Sequence, residues 1–378
     1  MSKSKVATNE IRLKNRQMVY QFIRNQGSVS KQDIVVGLHL SLPTVTQNLQ
    51  YLEEQGLIDT SKKIKNTGGR NATAYVYIKN AKLAIGVYIT KSSINAVAVD
   101  LSGNVIEVVK ERIKFNLDDD SYLKKIGDAV EQVKQNVGIA DEDLLGVGIA
   151  VPSLVSDDGE TVVYGLTLNF TGKTRKEIAK YIPYKNRLFH DSYVAGYAEV
   201  WINQHLNNAF YISLGHSVGG CVVMENGIYA GDTQKGGEIG HMTIVPQGGK
   251  QCYCGKYGCL DTVCNVGNLE QYTDGNLEEF FRLLKAGDTA AQDLWNDYLD
   301  YLALAIHNVR ILFDSVVILG GYVGANMDDY IKDLYKRVDE RNPFDDLARN
   351  YLILCKYKVE ATATGSALIY INGFLKSI

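Results

Sequence analysis

Three observations predict an α/β chain with a winged helix-turn-helix at its N-terminal end. The first is scale: 378 residues, 46% hydrophobic and 22% charged, form a globular composition too long for one core, so two or three domains are expected. The second is charge. Residues 1–80 hold 12 Lys/Arg against 5 Asp/Glu, a balance of +7, and the rest hold 28 against 38, a balance of −10. A basic head on an acidic body fits a nucleic-acid-binding module joined to a body that handles another ligand. The third is internal likeness. "AIGVYITKSSINAVAVDLSGNVIEVV" from Ala84 and "AFYISLGHSVGGCVVMENGIYAG" from Ala209 both read strand, polar turn, strand, Gly/Asn turn, strand. Such a duplicated unit, alternating with helical segments like "AAQDLWNDYLDYLALAIHNVRILF", closes on a cleft suited to a small molecule.

The head comes first. Apolar residues at helical spacing (Ile11, Met18, Val19, Phe22, Ile23) predict a helix from Asn9 to Gln26. Ser30 then caps a short helix through Val36, with Asp33 in a near capping box, and Gly37 is read as the turn. Ser41 caps a second helix from about Leu42 to Gln55, ended by Gly56. Its predicted outer face carries Thr44, Thr46, Gln47, Asn48 and Gln50, the arrangement that reads a major groove, while Val45, Leu49 and Leu52 turn inward. Next, "GLIDTSKKIKNTGGRNATAYVYI" reads as two short strands around a Gly-rich loop bearing Lys62, Lys63, Lys65 and Arg70, a wing for phosphate or minor-groove contact. A solvated hairpin is the alternative.

The pattern changes after Lys79, so a domain boundary is placed near Asn80. Farther on, "EIGHMTIVPQGGKQCYCGKYGC" (238–259) gathers His241, Cys252, Cys254 and Cys259, half of the chain's six cysteines within eight positions. Three thiolates and one imidazole, with glycines at 255 and 258 letting the backbone fold round a centre, suit a structural zinc ion. Buried or redox cysteines are the alternative, and Cys264 is close enough to compete as a ligand. The start "MSKSKVATNE" carries no secretory signal, and no run approaches the roughly 18 apolar residues of a membrane span. A cytoplasmic protein is expected, in a compartment where clustered cysteines hold metals more often than disulfides.

On "HDSYVAGYAE" (190–199), "EIGH" (238–241), "CYCGKYGCLD" (252–261), "VILGGYVG" (317–324) and the helix-turn-helix with "GGR" (68–70), the chain resembles the ROK repressors and sugar kinases over essentially its whole length. The resemblance implies an actin-like, ribonuclease-H-like fold in two lobes, a structural zinc and a carbohydrate site in the cleft. Members with the extra winged helix resemble xylose-type and N-acetylglucosamine-type repressors. The division it implies is 1–79 for the head, 80–190 for a small lobe and 191–378 for a larger lobe with the zinc site, whose last helix returns to the small lobe. A sugar site would use Asn169, His190, Asp191, Glu238, His241 and Asp261; His190 stands for the family's Asn, Ser153 for a Gly and Asp261 for the usual Glu.

Phosphoryl transfer needs a glycine-lined backbone cradle and a carboxylate for the metal ion. The family's Asp-x-Gly-Gly-Thr is "YITKS" here, with Tyr88 for Asp and Thr90 and Lys91 for the glycines, and its Gly-Thr-Gly-x-Gly-Gly is "GHSVGG". Lys91 reads as a solvated turn residue, and Asp191, where family kinases place the catalytic base, reads as an acceptor for a sugar hydroxyl. The expected function is a sugar-responsive repressor, not an enzyme, that binds a palindromic operator as a homodimer or higher oligomer. A kinase with an appended DNA-binding domain and a ligand-independent DNA-binding dimer are the alternatives.

Overall fold

The computed structural model describes residues 3–64, 72–203, 205–225 and 227–378. The head is built from α1 (Lys3–Gln26), β1 (Ser28–Val29), α2 (Lys31–Leu38), α3 (Leu42–Glu54), β2 (Ile58–Asp59), β3 (Lys63–Ile64), β4 (Ala72–Thr73) and β5 (Tyr75–Tyr77). Strands β1, β5 and β2 form a small antiparallel sheet, and β3 pairs with β4 as the base of the wing. Lys65 and Arg70 of the expected wing lie outside the described residues. The box at the start of α2 is complete: Asp33 N–H donates to Ser30 Oγ at 3.2 Å, and Ser30 N–H donates to the Asp33 carboxylate at 2.8 Å. One expectation is corrected here. Gly37 lies inside α2, and the chain turns instead at His39, whose φ is 52°. A Cβ at Gly37 would stand 2.6 Å from the Phe22 ring, so the glycine serves the close crossing of α1 and α2.

The first body unit comprises β6 (Leu83–Ile89), β7 (Ser93–Asp100), β8 (Val105–Arg112), α4 (Asp120–Val137), β9 (Leu144–Val151), β10 (Leu154–Val155), β11 (Val162–Tyr164), α5 (Arg175–Ile178) and β12 (Asn186–His190). Its sheet runs β8-β7-β6-β9-β12, an antiparallel meander followed by two parallel strands. After α6 (Asp191–Ile202), β13 (Ala209–Leu214), β14 (Val218–Met224) and β15 (Gly227–Tyr229) repeat the meander. The chain continues through α7 (Asp261–Cys264), α8 (Gly267–Glu270), α9 (Leu277–Lys285) and α10 (Thr289–Phe313) to β16 (Val316–Gly320). Then follow α11 (Gly321–Gly324), α12 (Ile331–Asp339), β17 (Leu352–Leu354) and α13 (Ala361–Leu375). The second sheet, β15-β14-β13-β16-β17, has the same connectivity as the first, so the likeness read in the sequence is a duplication of topology.

Helices α6 and α13 pack together between the sheets, α6 against β13 and β14 and α13 against β6 and β9. Glycines make the approach possible. A Cβ at Gly86 or Gly148 would run into the carbonyls of Ala363 or Ser366, and one at Gly365 into that of Val194. Both helices end at the head. Its buried Val19, Ile23, Leu49 and Leu52 form one continuous cluster with Val97, Val99, Leu368 and Ile371 of the body. Gln17 Nε2 donates to Lys376 O at 2.6 Å, and the Arg24 guanidinium lies 5.5 Å from the Trp201 ring centre. Beside these contacts a cavity of about 670 Å³ separates α1 from the far ends of α6 and α13. Among the described residues no helix is long and apolar enough to cross a membrane.

Candidate functional site

Two cavities meet at Asp191, the first residue of α6. The smaller, about 40 Å³, is lined by Ser153, His190, Asp191, Glu238, His241 and Tyr253 among others. Strand β12 ends at His190 and delivers that residue and Asp191 together, and a short 3₁₀ turn after Glu238 brings Glu238 and His241 to the same wall. His190 Nε2 lies 3.3 Å from Asp191 Oδ1 and 3.8 Å from Glu238 Oε1, and its ring stands edge-on to Tyr193 at 4.4 Å. Two polar atoms here, His190 Nδ1 and Glu238 Oε1, are buried without a hydrogen-bond partner. Burial raises the Glu238 carboxyl pKa, opposed by the nearby His190 and His241 rings. Unpaired buried polar atoms are costly, and the hydroxyls of a polyol are groups that would satisfy them.

The larger cavity, about 980 Å³, shares Pro152, Thr167, Asp191 and Ser217 with the smaller one. On its floor the Tyr88 hydroxyl donates to Asp191 Oδ2 at 3.1 Å, and Ser192 N–H donates to Oδ1 at 2.7 Å. Burial, and then the neighbouring Asp191 carboxylate, hold the Tyr88 phenol well above its usual pKa, so it stays a donor. Both oxygens of Asp191 are therefore engaged. His216 points its Nε2 at Glu270 at 3.4 Å.

Two residues expected at the sugar site lie elsewhere. Asn169 is an exposed turn residue with φ 54°, outside the residues that line either cavity, although its neighbours Thr167 and Leu168 line the larger one. Asp261 is buried, and its Oδ1 accepts Val218 N–H at 2.6 Å, tying the cysteine loop to the start of β14. A shorter acid at that position reaches the backbone instead of the cleft. The sequence reading missed Tyr253, whose hydroxyl lies 3.4 Å from His241 Nε2. Its position between two cysteines of the cluster was the available signal.

The ligand atoms of His241, Cys252, Cys254 and Cys259 all lie within 4.8 Å of one another. Cys254 and Cys259 Sγ are 3.8 Å apart, and Cys252 Sγ is 3.7 Å from His241 Nδ1. Zinc–sulfur bonds of about 2.3 Å in a tetrahedron give edges of about 3.8 Å, so the donor set fits that ion. Glycines 255 and 258, with φ 83° and 72°, supply the left-handed turns that wrap the loop. Burial pushes the Cys252 thiol up to about 12, and a cation at the centre would offset the cost of its ionisation. Since Nδ1 faces the cysteines, Nε2 is left facing the small cavity. Cys264 is not part of this group: it is fully buried, with its thiol on the carbonyl of Tyr298.

On the head, Ser41 Oγ accepts Thr44 N–H at 3.3 Å and caps α3. Thr46, Gln47 and Gln50 are exposed on its outer face and Thr44 is half-buried, with Gln50 held by Glu54 at 2.9 Å. Asn48 is a correction. It is 7% exposed, and its amide donates back to Thr44 O at 2.9 Å, so it braces the helix from inside. Lys62 is exposed before the wing strand β3 that contains Lys63.

The model of the ROK family matches residues 84–372. The xylose repressor of Bacillus subtilis is 22% identical over 378 residues, covering 96% of both chains. The glucokinase of Halalkalibacterium halodurans is 26% identical over 278 residues, 66% of this chain and 83% of its own. A crystal structure of a ROK family transcriptional regulator, a homologue of the Escherichia coli MLC protein, superposes with a TM-score of 0.74 at 22% identity, covering 97% of each chain.

Proposed function

Given that the chain belongs to the ROK family, we propose that it is a sugar-responsive transcriptional repressor whose body senses a sugar without phosphorylating it. The observation that carries this reading is the pair of buried, unpartnered atoms, His190 Nδ1 and Glu238 Oε1, in a pocket beside an Asp191 already engaged by Tyr88. A base that must accept a sugar proton needs a free carboxylate oxygen. Here the phenol that replaces the family's metal-binding Asp occupies it. The glucokinase relative keeps the kinase reading in view, and Tyr88, Lys91 and His216 weigh against it.

In this reading Glu238, His190 and His241 Nε2 bind sugar hydroxyls, with Asp191 and Tyr253 completing the wall. One zinc ion, held by His241, Cys252, Cys254 and Cys259, is a structural Lewis acid that fixes the imidazole. With Nδ1 held by the metal, the free Nε2 is kept turned toward the ligand. The head reads DNA with Thr44, Thr46, Gln47 and Gln50 of α3 and grips phosphates through Ser41 and the wing lysines. Because one such helix reads only a few base pairs, a dimer on a palindromic operator is expected. Helices α6 and α13 supply the route between sites. The first starts at Asp191 and the second at the rim of the larger cavity, and their far ends meet the head through Trp201 beside Arg24 and Lys376 beside Gln17. Cleft closure that shifts this pair changes the head's position, and operator affinity changes by the ligand's difference in affinity for the two states.

Operator sequences selected from a random duplex pool, followed by anisotropy titration with a panel of sugars, test the reading. Release of the selected DNA by a neutral sugar, lost on Glu238→Ala while DNA binding persists, is the expected result. A variant that still responds at the wild-type concentration refutes the pocket as sensor.

A further inference from the structure

The cavity between head and body shares no lining residue with either cavity of the cleft. At about 670 Å³ it has the size of a small-molecule site. Its walls come from both sides: Phe22 and Arg24 of α1 face Trp201 of α6 and Leu375 and Lys376 at and just past the end of α13. Gln17, Gln21 and Arg24 follow helical spacing, so one face of α1 supplies the head's share.

Two features of this lining select a ligand. The first is charge. Among the described residues none that lines the cavity is acidic, and neither Arg24 nor Lys376 makes an ion pair. Arg24 is half-buried, so its charge stands in a recess with no counter-charge from the protein. The second feature is aromatic surface. The Arg24 guanidinium lies 5.5 Å from the Trp201 ring centre, and Tyr20, Phe22 and Tyr197 add further rings to the wall. A guanidinium resting on an indole by its face keeps the N–H donors along its edge free, and that fork matches a carboxylate. A polyol fits less well, because two of the amides are already engaged: Gln17 Nε2 donates to Lys376 O at 2.6 Å and Gln21 Nε2 to Asn25 Oδ1 at 3.0 Å.

We propose that this cavity is a second ligand site, for a small aromatic carboxylate. Arg24 and Lys376 hold the carboxylate, and the ring packs among Phe22, Tyr197 and Trp201. The site is independent of the sugar reading of the cleft. A molecule seated here touches α1 on one side and the ends of α6 and α13 on the other, so it favours the arrangement in which both walls are in place.

Calorimetric titration of the full chain with benzoate and indole-3-acetate tests the site, with acetate as the charge without a ring and benzyl alcohol as the ring without a charge. At least one aromatic acid should bind saturably, about tenfold or more tighter than either control, and more weakly as salt rises. Arg24→Gln should lose about tenfold in affinity, the worth of one charge-assisted bond. Because Arg24 also touches Trp201, its variant is checked by melting temperature; Lys376→Ala, at an exposed side chain, should lose severalfold and decides alone if the first variant unfolds. No saturable binding by either acid, a control that binds as well, or unchanged affinity in the folded variants overturns the proposal. So does a loss of operator affinity in variants that keep their affinity for the acid, which would assign these cations to DNA. The sensor reading is tested separately: a sugar that releases DNA while no aromatic acid binds leaves the sensor standing and removes this site.

Discussion

Replacing Glu238 by glutamine should stabilise the resting protein and weaken its response to ligand at the same time. The substitution keeps the side chain's shape and removes its charge. Its Oε1 is buried without a hydrogen-bond partner, with His190 Nε2 only at 3.8 Å, and burial raises the carboxyl pKa above its usual value. Leaving a buried acceptor unsatisfied costs about 1–3 kcal/mol, and a charged one lies at the upper end. Because the folded-state pKa is raised, the folded protein holds this proton more tightly than the unfolded chain. The favourable contribution is complete below the ordinary carboxylate pKa of about 4.3 and is lost as pH rises through the raised value. The glutamine has no such dependence. Urea denaturation at pH 5 and pH 8 should therefore show the variant gaining on the wild type as pH rises, by on the order of 1 kcal/mol at the upper end. Ligand binding should move the other way. A hydroxyl donating to a carboxylate is worth about 1 kcal/mol more than one donating to an amide, which weakens the response roughly fivefold. A variant less stable than wild type at pH 8, or one with an unaltered ligand response, would refute the reasoning that this carboxylate is strained in waiting for a ligand.

Purified protein should carry about one zinc per chain by metal analysis, and Cys254→Ser should lose it and with it the sugar response, since His241 Nε2 would no longer be held toward the cleft. Sugar-dependent ATP hydrolysis in a coupled assay should stay well below about 1 per second, the low end of ordinary kinase rates, for common hexoses and pentoses. Gln47→Ala should weaken operator binding by about 1–3 kcal/mol with little change in melting temperature, whereas Asn48→Ala, which removes a brace inside α3, should lower the head's stability by about 1 kcal/mol. Gly37→Ala should destabilise the head by roughly 1–3 kcal/mol through the clash with Phe22, read as an earlier denaturation midpoint with ligand affinity retained.

Much of the fold was legible because it is written locally. The alternation of strands and turns from Ala84 and from Ala209 gave two meanders, and the caps at Ser30 and Ser41 gave the two helices of the head. The cysteine spacing likewise announced a cluster, and His241, Cys252, Cys254 and Cys259 do lie together. What failed was tertiary in origin. Gly37 looks like a turn residue in sequence, and only the crossing of α1 over α2 explains it. Asn48 looks as polar and outward as Gln47, yet its amide finds a carbonyl one turn back. Asp261 follows the cysteines as a ligand-facing acid would, and Val218 N–H captures it. The reading of Lys91 as a solvated turn residue stands: it is exposed in the bend between β6 and β7.

The hydrophobic cluster that joins the head to α13 has a consequence for how the protein is made. Val19, Ile23 and Leu49 share buried surface with Leu368, Ile371 and Ile378, the last only 2% exposed. Those partners are synthesised long after the head has left the ribosome. A nascent chain can form the short helices early, but one wall of its DNA-reading module is absent until residues 363–378 emerge. A chain cut short before residue 363 would lack that wall, and its head should be cleaved by proteases more readily than that of the full chain.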